Sequence, residues 1–134
     1  MAQDNPGQFA LARKILFASS DASLLVRAER ILAALEYQVL PFADGIDALT
    51  GVVNHRPGLI FIDASLNRLT AHQLCYLVKR NVEFRPIPVI ILSSTNGLNE
   101  RAKSHSVGAI YQLVKPFDDQ ELLRAARHCM AICQ

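Results

Sequence analysis

Polar residues stand directly after four short apolar blocks of the sequence, and their types suit phosphoryl chemistry. They are Ser19, Ser20 and Asp21 after the first block, Asp63 after the third, Ser93 and Ser94 after the fourth, and Lys115 and Pro116 after the fifth. A carboxylate can attack a phosphoryl donor to form an acyl phosphate, an ammonium can neutralise the added oxygens, and a hydroxyl can donate a hydrogen bond to them. This chemistry requires that Asp63, Ser93 and Lys115 meet in space.

The apolar blocks are the elements that would position these side chains. Residues 15–18, 59–62, 89–92 and 110–114 are bounded by turn formers, which is typical of strands covered on both faces of a sheet. Residues 37–40 alternate in polarity instead, which predicts an edge strand. Ligands of parallel sheets bind outside the carboxyl ends of the strands, so the polar residues are expected to share one crevice.

Helical periodicity fills the intervals between the strands. The apolar residues at helical spacing are Leu24, Ala28, Ile31, Leu32 and Leu35 in the first interval, Ile46, Leu49 and Val53 in the second, and Leu74, Leu77 and Val78 in the third. In the fourth, residues 96–107, only Leu98, Ala102 and Val107 are in phase, and this helix is expected to be the most mobile. Asp118 and Glu121 have the spacing of a capping box before a last apolar face of Leu122, Ala126, Cys129 and Met130.

Five strands alternating with five helices predict the fold class. It is a doubly wound (βα)5 α/β fold, a three-layer sandwich around a five-stranded parallel sheet, because each crossover has the dozen or more residues that it needs. The 134 residues amount to one domain, residues 13–134, preceded over residues 1–12 by a polar tail without periodicity.

Charge and composition exclude several classes of function. Fourteen Lys and Arg against twelve Asp and Glu leave a net charge of +2, too small to predict binding to nucleic acid or to an anionic membrane. No apolar run reaches the roughly 18 residues that a membrane helix needs, so a cytoplasmic protein is expected. Cys75, Cys129 and Cys133 lack paired spacing and are expected to be buried, reduced thiols.

Four segments, in order along the chain, resemble the receiver domain of two-component response regulators, the CheY-like family. They are Pro57-Gly-Leu-Ile-Phe-Ile-Asp63, Pro88-Val-Ile-Ile-Leu-Ser-Ser94, Gly108-Ala109 and Val114-Lys-Pro-Phe117. Ser93 lies 30 residues after Asp63 and Lys115 lies 22 after Ser93, which agrees with the family's spacing. The resemblance extends over residues 14–131. Within the family, residues 44–49 and 91–98 are most similar to single-domain regulators of type IV pilus twitching motility.

The resemblance implies a role for individual residues. Asp63 matches the phosphoacceptor, Ser93 the hydroxyl residue that follows the phosphoryl group, and Lys115 the family's invariant lysine. The resemblance also implies the strand order 2-1-3-4-5, a cis bond between Lys115 and Pro116, and a signalling module rather than an enzyme. Its implied partners are proteins, a histidine kinase or a downstream effector, and the fourth and fifth helices commonly form homodimers in this family.

The chain departs from the family after the first strand. Receivers normally carry two adjacent acids there, which hold the Mg²⁺ that screens the phosphoryl group, and this chain has Ser19 and Ser20 at those positions. Exchanging two carboxylates for hydroxyls removes two negative charges from a site for a hard cation, so Mg²⁺ binding is expected to be weak. Asp63 and Asp21 are the remaining candidate ligands, and Asp21 is better placed to cap the first helix.

A second departure lies three residues before Lys115. The family usually has an aromatic residue at this position, whose inward turn reports phosphorylation, whereas this chain has Gln112 with Tyr111 beside it. Neighbouring side chains on a strand point to opposite faces, so Tyr111 is not expected to replace the aromatic switch.

Three functions remain open on these grounds. The one favoured by the missing acid pair is a stand-alone pseudo-receiver that acts by protein contact. The second is an ordinary receiver, in which Asp63 accepts phosphate and Lys115 and Ser93 hold the product. The third is a flavodoxin-like protein that binds flavin phosphate at residues 19–23, although this loop lacks glycine and the chain lacks Trp.

Overall fold

A five-stranded parallel sheet forms the centre of the protein. The computed structural model describes residues 13–95 and 97–132, the side chains of residues 131 and 132 excepted, so the predicted tail and Cys133 lie outside the described residues. The strands are β1 (Lys14–Ala18), β2 (Gln38–Phe42), β3 (Leu59–Asp63), β4 (Val89–Ser93) and β5 (Tyr111–Val114). All neighbouring pairs are parallel and the order is β2-β1-β3-β4-β5, which confirms the predicted sheet.

Helices cover both faces of the sheet and complete the three layers. They are α1 (Ala22–Leu32), extended by a 3-10 turn at Ala33–Leu35, α2 (Gly45–His55), α3 (Ala71–Arg80), α4 (Leu98–Ser106) and α5 (Asp119–Ile132). The apolar faces of α1 and α5 pack on one side of the sheet, where the rings of Phe17 and Phe61 stack with centroids 5.1 Å apart. The helices α2 and α3 pack on the other side. No helix in the described ranges is both long enough and apolar enough to cross a membrane.

Side-chain caps fix where the helices begin. The Asp21 carboxylate accepts the backbone N–H groups of Ser23 and Leu24 at the start of α1, as predicted. Asp44 accepts the N–H of Asp47 at the start of α2. The predicted capping box of α5 is confirmed, because Asp118 accepts the Glu121 N–H at 2.8 Å and Glu121 accepts the Asp118 N–H at 2.9 Å.

The predicted apolar face of α2 is wrong by about one residue. Ile46 and Val53 are 40% and 51% exposed, and the buried residues are Gly45, Ala48, Gly51 and Val52. The reason is close packing: a Cβ at Gly51 would stand 2.5 Å from the Phe42 ring, so only a small residue fits between the helix and β2.

Three other predictions of burial are also corrected. Leu77 of α3 is exposed, since this helix buries Ala71, Leu74, Cys75 and Val78. Leu98 and Ala102 of α4 are exposed, and Ser104 is its buried side chain. The last strand is not covered on both faces, because it is the second edge of the sheet and leaves Ile110 and Tyr111 exposed.

The opposite edge of the sheet is β2, as predicted from its alternating polarity. Pro41 lies within this strand and is paired in register with Phe17 of β1. The two cysteines within the described residues, Cys75 and Cys129, are buried free thiols, as expected. Burial raises the pKa of Cys75 to about 11.

Candidate functional site

The carboxyl ends of four strands bring the predicted site residues together. Asp63 ends β3, Ser93 ends β4, Ser19 follows β1 and Lys115 follows β5. The register pairs Asp63 with Leu92 and Ser93 with Val114, so these ends lie at one edge of the sheet. The peptide bond between Lys115 and Pro116 is cis, as the resemblance implied.

Asp63 is fully buried, and its carboxylate is saturated with partners. The Lys115 Nζ lies 2.7 Å from Oδ1, and the Ser65 N–H donates to the same oxygen at 3.3 Å. The hydroxyls of Ser19 and Ser65 donate to Oδ2 at 2.7 Å and 3.0 Å. A carboxylate has about four lone-pair positions, and these four contacts engage them.

The ion pair makes this burial tolerable. An isolated carboxylate in a protein interior is strongly disfavoured, whereas one that is paired and hydrogen-bonded is stable there. Asp63 and Lys115 carry opposite unit charges, and the hydroxyls of Ser19 and Ser65, which bind Asp63, carry none. The centre of the site is therefore electrically neutral as the side chains stand.

Ser19 and Ser20, which follow β1, form hydrogen bonds with the neighbouring loops. Ser19 Oγ donates to Asp63 and also accepts the backbone N–H of Asp21 at 3.0 Å. Ser20 Oγ donates to the Ser65 carbonyl and lies 3.3 Å from the Ser65 hydroxyl. These bonds tie the loop after β1 to the loop after β3, directly above Asp63.

Asp21 acts as a helix cap in this structure. Its Oδ1 accepts the Ser23 hydroxyl at 2.8 Å in addition to the two backbone N–H groups. The pKa of Asp21 lies below its usual value, first because of the Ser23 hydroxyl and then because of the Leu24 N–H. In the described part of the chain, no three His, Cys, Asp or Glu side chains form a group that could hold a metal ion.

Ser93 is buried beside the crevice and bonds to the loop that follows β4. Its Oγ accepts the Thr95 N–H at 3.1 Å and lies 3.2 Å from the Thr95 carbonyl oxygen, to which it donates. The structure therefore brings Ser93 to the same edge as Asp63 and Lys115, with its hydroxyl engaged by Thr95.

Gln112 and Tyr111 lie on opposite sides of β5, as the strand geometry requires. The Gln112 amide accepts the Ser104 hydroxyl at 2.8 Å and donates to the Thr95 carbonyl at 3.2 Å. The Tyr111 ring is exposed and lies 6.5 Å from the His128 ring, measured between centroids. Gln112 thus faces α4, whereas Tyr111 faces α5.

Ser65 is the site residue that sequence reasoning missed. Its backbone N–H and its hydroxyl both bind the Asp63 carboxylate, two residues earlier in the chain. The signal was local, because Ser two residues after Asp is suited to this type of turn. Ser65 lies two residues beyond the end of β3, outside the set of polar residues that directly follow the apolar blocks.

Comparisons with known proteins agree with this geometry. A family profile described as "Response regulator receiver domain" matches residues 15–127. Protein PilG of Pseudomonas aeruginosa is 37% identical over 114 residues, which cover 85% of this chain and 84% of that protein. The chain spans about half the length of other relatives that it matches, such as the response regulator MprA of a Mycobacterium species.

Solved structures share the fold. The chemotaxis response regulator CheY4 of Vibrio cholerae superposes with a TM-score of 0.83 at 24% identity, over 87% of this chain and 97% of that one. The receiver domain of the sensor histidine kinase PA1611 of P. aeruginosa, solved with a magnesium ion in its active-site cleft, gives 0.81 at 25% identity, over 90% and 98%. The chain belongs to the family of response regulator receiver domains, the signalling modules of two-component systems.

Proposed function

We propose that the chain is a pseudo-receiver, which signals by protein contact and in which Mg²⁺ binding and phosphotransfer are weak. The observation that carries this proposal is the state of Asp63. Its carboxylate is fully buried, and Lys115, Ser19 and Ser65 occupy its lone-pair positions. Partners of this family are histidine kinases and downstream effectors, and we place the contact in the cytoplasm.

Access to Asp63 is the first argument. An attacking carboxylate oxygen must face the phosphorus of the donor in line with the leaving group. Oδ1 is held by Lys115 and Oδ2 by two hydroxyls, so at least one of these contacts must open before either oxygen is free. Each opening takes one contact away from the buried Asp63 carboxylate, which adds to the barrier.

Charge is the second argument. Mg²⁺ is bound through carboxylates and keeps several of its waters. The carboxylate in the crevice is Asp63, with an ammonium 2.7 Å away, while Ser19 and Ser20 supply neutral oxygens and the Asp21 carboxylate is engaged at the start of α1. This donor set does not fit a magnesium ion, because the ammonium already supplies the compensating charge.

The ordinary receiver is the second candidate, since Asp63, Ser93 and Lys115 meet at one edge as the family's chemistry requires. Family membership gives no support to the flavin-binding alternative. The similarity to protein PilG supports, as part of the proposal, a pathway of the twitching-motility type.

Restoring the acid pair tests the proposal. The wild-type chain and the Ser19→Asp/Ser20→Asp variant are incubated with acetyl phosphate and Mg²⁺, and phosphorylation is read by intact mass. We expect little addition to wild type and substantial, Mg²⁺-dependent addition to the double variant, because two carboxylates restore the cation's ligands. Thermal unfolding with and without Mg²⁺ measures binding of the cation independently of phosphorylation. Only the double variant is expected to be stabilised by Mg²⁺.

Two controls make the result specific. Ser94→Asp adds a charge at the end of another strand and should behave as wild type. Asp63→Asn in the double-variant background should abolish the addition. Rapid and near-complete phosphorylation of the wild-type chain, lost on Asp63→Asn, would overturn the pseudo-receiver and establish the ordinary receiver.

A further inference from the structure

Helix α4 is attached to the rest of the protein mainly by hydrogen bonds. Ser104 is its buried side chain, and Leu98, the large apolar residue at its start, is 80% exposed. A short helix in water gains most of its stability from packing an apolar face, and α4 has no such face. Its position therefore depends on polar contacts, and the partners of the buried Ser104 are among them.

These partners form a continuous chain of polar contacts across three elements. Ser104 Oγ donates to the Gln112 Oε1 at 2.8 Å, and the Gln112 Nε2 donates to the Thr95 carbonyl at 3.2 Å. On the other side, the His72 Nε2 lies 3.3 Å from Ser104 Oγ and 3.5 Å from a carboxylate oxygen of Glu100. This series of polar contacts thus joins the loop after β4 to β5, α4 and α3.

Each bond in this chain fixes the direction of the next. The Thr95 carbonyl can only accept, so the Gln112 amide must present its NH₂ to it and its oxygen to α4. That oxygen can only accept, so the Ser104 hydroxyl must donate to it. Because its proton is engaged by Gln112, Ser104 Oγ can only accept from His72, whose Nε2 also lies near Glu100. The order of donors is therefore fixed from Thr95 through Gln112 to Ser104.

This series of hydrogen bonds starts next to the crevice that holds Asp63. The Thr95 N–H donates to Ser93 Oγ at 3.1 Å, and the Ser93 carbonyl accepts the Lys115 N–H at 2.8 Å. Lys115 in turn holds Asp63. A displacement of the loop at Thr95 would pull on Gln112, and the buried Ser104 would follow.

We propose that Thr95, Gln112, Ser104 and His72 form a polar latch that holds α4 in place and couples it to the loop beside the crevice. The latch does not rest on whether Asp63 accepts phosphate. It gives Gln112 a positioning role: α4 changes state when these hydrogen bonds open, and no aromatic ring needs to turn inward.

Amide hydrogen exchange resolved by residue tests the latch. Ser104→Ala removes the central hydroxyl and leaves the Gln112 oxygen without its donor, so we expect about a tenfold loss of protection for the amides of α4. The same loss is expected at the Thr95 amide, which lies in a different element. Ser106→Ala is the matched control, since that exposed hydroxyl of the same helix donates to the Lys103 carbonyl within its own turn.

The outcomes distinguish a latch from a merely local effect. Unchanged protection of both α4 and Thr95 in Ser104→Ala, within about twofold of wild type, would overturn the latch. Loss of protection in α4 alone would overturn the coupling. Protection of the amides of β1 and β3 shows whether the variant is folded.

A second variant keeps the proposal testable if Ser104→Ala unfolds. Gln112→Glu has nearly the same shape, but its carboxylate sets a lone pair against the Thr95 carbonyl, and we expect the same loss of protection at neutral pH. A protonated Glu has one donor and one acceptor, as Gln has in the latch, so protection relative to wild type should recover as the pH falls below about 4. A persistent defect at that pH, with wild type still protected, would contradict the ordering of donors.

Discussion

At the scale of single residues, the site is a charge pair whose carboxylate is fully buried. Lys115 neutralises Asp63, and two serines complete the hydrogen bonds of the carboxylate. Such a pair adds little net stability compared with apolar residues of the same shape, but the loss of one partner exposes the full cost of burying the other. The pairing is therefore tested by comparing the free energy of unfolding of a single variant with that of the double variant.

Lys115→Met should destabilise the protein strongly, because it leaves the Asp63 carboxylate buried without its counter-charge. We expect the free energy of unfolding, measured in urea, to fall by about 3 kcal/mol. The Asp63→Asn/Lys115→Met double variant should recover at least half of this loss, since no charge remains to be buried. A single variant within about 1 kcal/mol of wild type would contradict the pairing.

Residue types predicted part of this site. Asp63, Ser93 and Lys115 were candidates because each lies at or directly after the end of a strand and parallel strands end at one edge, and the family resemblance assigned their roles. The bond from Ser104 to Gln112 was not predictable: it depends on a helix whose buried residue is polar, and periodicity is counted over apolar residues alone. Ser65 could have been predicted from the sequence, because Ser two residues after Asp favours a turn in which it binds the carboxylate.

At the scale of elements, strands and caps were easier to predict than helix faces. Short apolar blocks between turn formers located β1, β3 and β4, and the caps of α1 and α5 are local patterns. The buried face of α2 was not predicted, because it packs through Gly45, Ala48 and Gly51. These small residues add little to a pattern that is counted over large apolar side chains. Where a helix lies close to the sheet, small size decides which side is buried.

Gly45→Ala tests this close packing at the start of α2. A Cβ at this position would stand 2.4 Å from the Leu69 Cβ and 3.0 Å from the Leu69 carbonyl oxygen, so backbone has to move. We expect a loss of about 1–3 kcal/mol in the free energy of unfolding, measured in urea. Gly97→Ala, whose Cβ would meet no atom of the described residues within 4 Å apart from its chain neighbours, is the matched control and should cost less than about 1 kcal/mol. Equal costs would show that steric crowding at Leu69 is not the cause.

At the scale of the whole molecule, carboxylates at helix starts link stability to pH. The pKa of Asp44 is lowered first by the N–H of Asp47 and then by Arg68, whose guanidinium lies 2.8 Å away, and the pKa of Asp21 is lowered in the same direction. The unfolded chain therefore binds more protons than the folded chain in acid. The contribution of these groups is complete above the ordinary value of 3.8 and is lost as the pH falls through the lower folded value.

Asp44→Asn isolates the charge, since Asn is an equally good cap. Wild type should be more stable than this variant at neutral pH, and the difference in free energy of unfolding should shrink below the ordinary value of 3.8. Urea unfolding at a series of pH values measures it. A difference that stays the same at about pH 3 and about pH 7 would show that the carboxylate has no lowered pKa in the folded protein.

Pro41 bears on how copies of the protein behave at high concentration. In β2 the Gln38 N–H bonds to Arg13 of the chain segment leading into β1, and in a parallel strand every second N–H points the same way, so the N–H of residue 41 would face outward. Proline has none, and the outer border of β2 therefore lacks one of the donors that an incoming strand would need. Sheet-to-sheet joining, the first step toward fibrils, is obstructed on this side.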